Sequence, residues 1–154
     1  MGDLFSASAD GQGSVELKPS ELTEFDRLVL DAYAASGRTL DDLPYTDEFE
    51  GIYQALGGDR CGKSRREVFH RLHNLRKASR LPRVGRSAPS VPQITRDDEE
   101  LLSSLVVQQV GTLGQRDQLP FTPRFDLLAQ QFNDRTGRSL GNHDVWRLVA
   151  KLAK

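Results

Sequence analysis

Leu43-Pro44-Tyr45-Thr46-Asp47-Glu48-Phe49-Glu50 recurs later in the chain as Leu119-Pro120-Phe121-Thr122-Pro123-Arg124-Phe125-Asp126. The likeness continues on the C-terminal side of both stretches. Asp59-Arg60-Cys61-Gly62-Lys63-Ser64 matches Asp134-Arg135-Thr136-Gly137-Arg138-Ser139, Glu67-Val68-Phe69 matches Asp144-Val145-Trp146, and Leu75-Arg76-Lys77 matches Leu152-Ala153-Lys154. The offset drifts slightly, which places short insertions in loops. A repeat at this spacing is a property of the fold and is read before anything else. It divides the chain into two copies of one unit, residues 20–80 and 95–154. Residues 81–94 form a basic, proline-rich linker with Pro82, Pro89 and Pro92. Residues 1–19 have almost no large apolar side chains and read as a disordered tail.

Each copy reads as three helices. In the first, Phe25, Leu28, Val29 and Ala32 recur at helical spacing from about Glu24 to Ser36. Thr23 with Asp26 forms the opening capping pair, and Gly37 the stop. The counterpart carries Leu102, Leu105, Val106 and Val110, opened by Thr95 with Asp98 and closed near Gly114. The second helix starts at Thr46 in one copy and at Thr122-Pro123 in the other, a capping hydroxyl followed in the latter by a proline suited to the first helical position. Its inner face is Phe49, Ile52, Tyr53 and Leu56, or Phe125, Leu128, Ala129 and Phe132. The third helix opens at Ser64 with Glu67 as a capping box and buries Val68, Phe69, Leu72 and Leu75. Val145, Trp146, Val149 and Leu152 match them. No segment alternates with period two, so the expected fold class is all-α: two tandem three-helix, helix-turn-helix-like units from an internal duplication.

Composition narrows the function classes. The chain has 154 residues, with 21 basic and 22 acidic side chains, one cysteine and three histidines. No apolar run is long enough to span a bilayer, and no secretory signal is visible at the N-terminus. Cys61 has no internal disulfide partner, which fits a reducing compartment, the cytoplasm, nucleoid or nucleus, rather than secretion. The near-neutral total conceals segregation. Residues 20–60 carry ten acids and three bases, whereas residues 61–96 carry ten bases and one acid, Glu67. A basic block of that density points to a polyanion or to an acidic partner surface.

Gly57-Gly58-Asp59-Arg60-Cys61-Gly62-Lys63-Ser64 satisfies the phosphate-loop pattern G-x-x-x-x-G-K-S. That loop needs a buried strand before it, but Phe49 to Leu56 is an amphipathic helical pattern, so no nucleotide is expected. Cys61, His70 and His73 lack a fourth ligand and have no equivalents in the second copy, so no metal is expected. No Ser, His and carboxylate set stands out, and neither an enzyme nor a cofactor is expected.

The basic block is the remaining candidate. On a helical wheel of residues 64–78, Arg66, His70, His73, Asn74 and Lys77 point away from the apolar side, with Arg65 and Arg71 on the flanks. Such a helix can meet phosphates and base edges in a major groove. Lys63 lies near phosphates at its start, and Arg80, Arg83 and Arg86 extend the charge into the linker. The second copy offers a weaker set, with Arg147 and Lys151.

Three helices with inner aromatics, and a third helix after a loop such as Phe132-Asn133-Asp134-Arg135-Thr136-Gly137-Arg138-Ser139-Leu140, resemble the Myb/SANT group, particularly its trihelix-type branch. The chain departs from that group in having a single tryptophan, Trp146. The resemblance implies a helix-turn-helix-like fold in both copies. It also implies either duplex DNA binding through the third helix, as in a transcription or chromatin factor, or binding of a protein partner. In the second case, the acidic face of residues 20–60 docks a basic tail.

Overall fold

The computed structural model describes residues 22–84 and 91–153, so the tail 1–19, Arg86 and the middle of the linker lie outside the described residues. Among the described residues six α-helices follow one another: α1 (Glu24–Ser36), α2 (Asp47–Ala55), α3 (Arg65–Lys77), α4 (Arg96–Val110), α5 (Pro123–Thr136) and α6 (Asn142–Leu152). Short 3₁₀ turns at Leu40–Asp42, Gly58–Cys61 and Leu113–Gln118 join them, and no strand occurs among the described residues.

Local chemistry sets the helix starts. Thr23 and Ser64 form full capping boxes with Asp26 and Glu67, so free N–H groups at each start are met by side-chain oxygens. The hydroxyls of Thr46, Thr95 and Thr122 accept from Phe49, Asp98 and Phe125 N–H, and Pro123 follows Thr122 at the first helical position. Gly37 closes α1 with φ 72°, a left-handed stop that a side chain would strain.

The helices close on two apolar clusters. One gathers Val29, Tyr33, Phe49, Ile52, Val68, Phe69, Leu72 and Leu75 from α1, α2 and α3. The other gathers Leu102, Leu105, Phe125, Phe132, Val145, Trp146 and Val149 from α4, α5 and α6. The clusters interlock by exchanging aromatics. Tyr45, just before α2, packs against the α4–α6 cluster, and Phe121, just before α5, packs against the α1–α3 cluster. Both residues have positive φ, 67° and 65°. Large side chains seldom adopt that conformation, which costs about 1–3 kcal/mol and persists where surrounding packing fixes it.

Three expectations need correction. Leu28 is 48% exposed, because α1 turns Asp26, Val29 and Tyr33 inward instead. Burying Asp26 on that face is made tolerable by an ion pair with Arg71. α4 ends at Val110 rather than near Gly114: Gly111 takes φ 94° as its C-cap, and Gly114 falls inside the following 3₁₀ turn. His73, expected to point outward, is only 6% exposed, because the other half of the molecule covers that side of α3.

Candidate nucleic-acid interface

α3 is the element that organises the basic block. The capping box orders its first turn, and Arg76 and Lys77 occupy its last turn, where cations complement the helix dipole. Val68, Phe69, Leu72 and Leu75 are fully buried, which fixes the orientation of every other side chain on the helix.

The flanking arginines turn back onto the protein. Arg71 donates from Nε and Nη2 to the two carboxylate oxygens of Asp26 at 2.6 and 2.7 Å. The same guanidinium holds the Asp26 carboxyl below its usual range, against the opposing effect of burial. Arg65 donates to both oxygens of Glu50 at 2.7 Å and stacks its guanidinium 4.5 Å from the Tyr53 ring centre. Arg76 pairs with Asp41 at 3.2 Å. The acidic segment 20–60 and the basic block 61–96 therefore neutralise one another in part, inside one helical trio.

A second side of α3 faces the other half. Arg66 Nη1 donates to the Asp117 and Pro120 carbonyl oxygens at 2.7 and 3.1 Å, and burial draws its pKa down. His73 stacks edge-on against Phe69 at 4.9 Å, and its Nδ1 lies 3.5 Å from Arg76 Nη2 and 4.0 Å from Asp117 Oδ2. Burial, reinforced by the Arg76 cation, holds its pKa down to about 4, so the ring is neutral at physiological pH.

α6 meets the first half in a related way. Trp146 Nε1 donates to the Asp41 carbonyl at 2.8 Å, His143 lies 3.3 Å from the Asp42 carboxylate and Arg147 lies 3.4 Å from it. Arg147 is thereby held against Asp42, while Lys151 is exposed. Sequence reading missed Asp41, Asp42 and Asp117 as anchors. Asp41 and Asp117 each stand two residues before a Leu-Pro pair, and that shared placement is the clue the sequence offered.

An outward stripe remains on α3. His70 and Lys77 are exposed and Asn74 is half-buried, at helical positions i, i+7 and i+4. Lys63 is exposed at the head of the stripe, its Nζ 5.8 Å from the Phe25 ring centre, and Arg83 is exposed beyond its end, with Arg80 half-buried between. Among the described residues, Lys63, Lys77 and Arg83 make no ion pair with a carboxylate. Beside the stripe, a groove of about 750 Å³ runs between the starts of α1 and α3, lined by Phe25, Lys63, Arg66 and His70 among others.

The Gly57–Ser64 segment is a turn between two helices. α2 runs directly into it, and the Tyr53 hydroxyl donates to the Lys63 carbonyl at 2.9 Å and pins it. Among the described residues, no three His, Cys, Asp or Glu side chains gather as a metal-binding set, and no helix is long and apolar enough to cross a membrane. No protein-family model, curated protein or solved structure matches the chain.

Proposed function

We propose that the chain is a duplicated, Myb/SANT-like pair of three-helix units that binds duplex DNA through the outward stripe of α3. The observation that carries this reading is the stripe itself: exposed His70 and Lys77 with half-buried Asn74 along one side of α3, headed by exposed Lys63 just before the helix, the two lysines lacking carboxylate partners among the described residues. Lysines neutralise phosphates, and an asparagine on the same face can pair with an adenine edge. Arg83 continues the charge along the chain. Arg65 and Arg71 support the stripe by fixing α3 on α2 and α1, and Arg66 and His73 fix it on the second half. Duplication is supported by the matching Thr46 and Thr122 caps and by the like backbone of Tyr45 and Phe121.

The rival reading is an adaptor whose acidic 20–60 face docks a basic protein tail. It has less support, because Asp26, Asp41, Asp42 and Glu50 are already held by Arg71, Arg76, Arg38 and Arg65. The test is a side-by-side titration of the full chain with mixed-sequence duplex DNA and with a lysine-rich peptide at low ionic strength. Saturable duplex binding that weakens as salt is raised supports the DNA reading. Peptide binding without duplex binding supports the adaptor.

A further inference from the structure

A cleft of about 330 Å³ opens between α3 and the Leu113–Gln118 turn of the other half. One wall carries His70, Arg76 and Lys77, and the other carries Arg116. Asp41 and Asp117 also line it, each beside a guanidinium, that of Arg76 and that of Arg66. The Asp41 carboxylate holds Arg76 at 3.2 Å, and Asp117 faces the His73 edge at 4.0 Å. Arg116 is differently placed. Its Nη1 reaches only the Leu113 carbonyl, at 3.5 Å, and no carboxylate pairs with it among the described residues. A guanidinium that lines a cleft without an acidic partner is suited to an anionic oxygen. Lys77, on the facing wall, has no carboxylate partner among the described residues.

We propose that this cleft seats one phosphate group of the nucleic-acid backbone, held by Lys77 from α3 and Arg116 from the other half. The proposal rests on the DNA reading of α3 and extends it: a residue of the second half completes the site. It also gives the packing of the two halves a functional role, since Arg66, bonded to the Asp117 and Pro120 carbonyls, holds the turn that carries Arg116 beside α3.

The experiment uses the full chain, with duplex DNA and inorganic phosphate as separate probes. Arg116→Gln and Lys77→Gln should each weaken duplex binding by about tenfold, the loss of one charge-assisted contact. Gln115→Glu places a negative charge on an exposed residue of the same turn and should act in the same direction without disturbing the core. Should Lys77→Gln weaken duplex binding while Arg116→Gln and Gln115→Glu leave it unchanged, the cleft assignment is overturned and the α3 reading stands. Should the parent bind no duplex, the DNA reading falls, and amide shifts on addition of inorganic phosphate decide the cleft. Shifts at Gly114, Arg116 and Lys77 that Arg116→Gln abolishes identify it as a seat for free phosphate. The absence of shifts overturns it.

Discussion

The Tyr45 hydroxyl accepts a hydrogen bond from the Phe121 N–H at 2.5 Å, and the two rings lie 4.7 Å apart, each packed against the apolar cluster of the opposite half. This contact ties the two clusters into one folding unit. A single unfolding transition is expected by calorimetry and by circular dichroism. Tyr45→Phe leaves the Phe121 N–H without its acceptor and should cost about 1–3 kcal/mol. Tyr45→Ala should cost about 3 kcal/mol or more and split the transition in two. Two transitions in the parent protein would contradict the coupling.

The same tyrosine predicts a loss of stability in alkali. Burial pushes its pKa from 10.0 up to about 12. Above pH 10 the unfolded chain ionises first, so the stabilisation is complete below pH 10 and disappears as the pH rises towards 12. Tyr33 and Tyr53 are also raised by burial, so Tyr45→Phe should reduce this dependence rather than abolish it. Urea midpoints measured across that range check the sign.

His73 predicts the opposite dependence on the acid side. Its pKa falls from 6.5 to about 4 because the ring is buried and Arg76 and Lys77 stand nearby, with Asp117 and Asp41 opposing them in part. As the pH drops from 6.5 towards 4, the unfolded chain binds a proton that the folded one resists, and stability falls. His73→Gln should flatten the urea midpoint over this window. A variant that keeps the parent slope would show that another group carries it.

Arg71→Ala should be strongly destabilising, by about 3–5 kcal/mol, because it strands the Asp26 carboxylate, which is 1% exposed. Replacing both partners by apolar residues should recover much of the loss. Thermal melts of Arg71→Ala, Asp26→Leu and the double variant distinguish this from a role in ligand contact. A parent-like Tm for Arg71→Ala would contradict the assignment.

The parts legible in sequence were those determined by neighbours along the chain. The caps at Thr23, Thr46, Ser64, Thr95 and Thr122 depend on residues three positions apart, and all formed as read. The buried face of α3 followed from helical spacing. The outer face was less legible, because it depends on which other element lies against it. Arg66 and His73 point outward on an isolated wheel but meet the Leu113–Gln118 turn in the folded chain. Arg65 and Arg71 looked like phosphate contacts because their carboxylate partners, Glu50 and Asp26, are distant in sequence and adjacent only in space. Arg116 went unnoticed because it stands alone in a segment of mixed charge.

The most direct test of the central claim is the salt dependence of duplex binding, compared between the parent and Lys77→Ala. With about three phosphates neutralised by Lys63, Arg83 and the Lys77–Arg116 pair, log K should fall against log[salt] with a slope of about −3. Lys77→Ala should weaken binding to all sequences alike and reduce that slope by about 1. Asn74→Ala should leave the slope unchanged and lower discrimination at one base position by about 1–3 kcal/mol. An intact, folded parent that shows no duplex binding at low salt, or a slope that Lys77→Ala leaves untouched, would contradict the account.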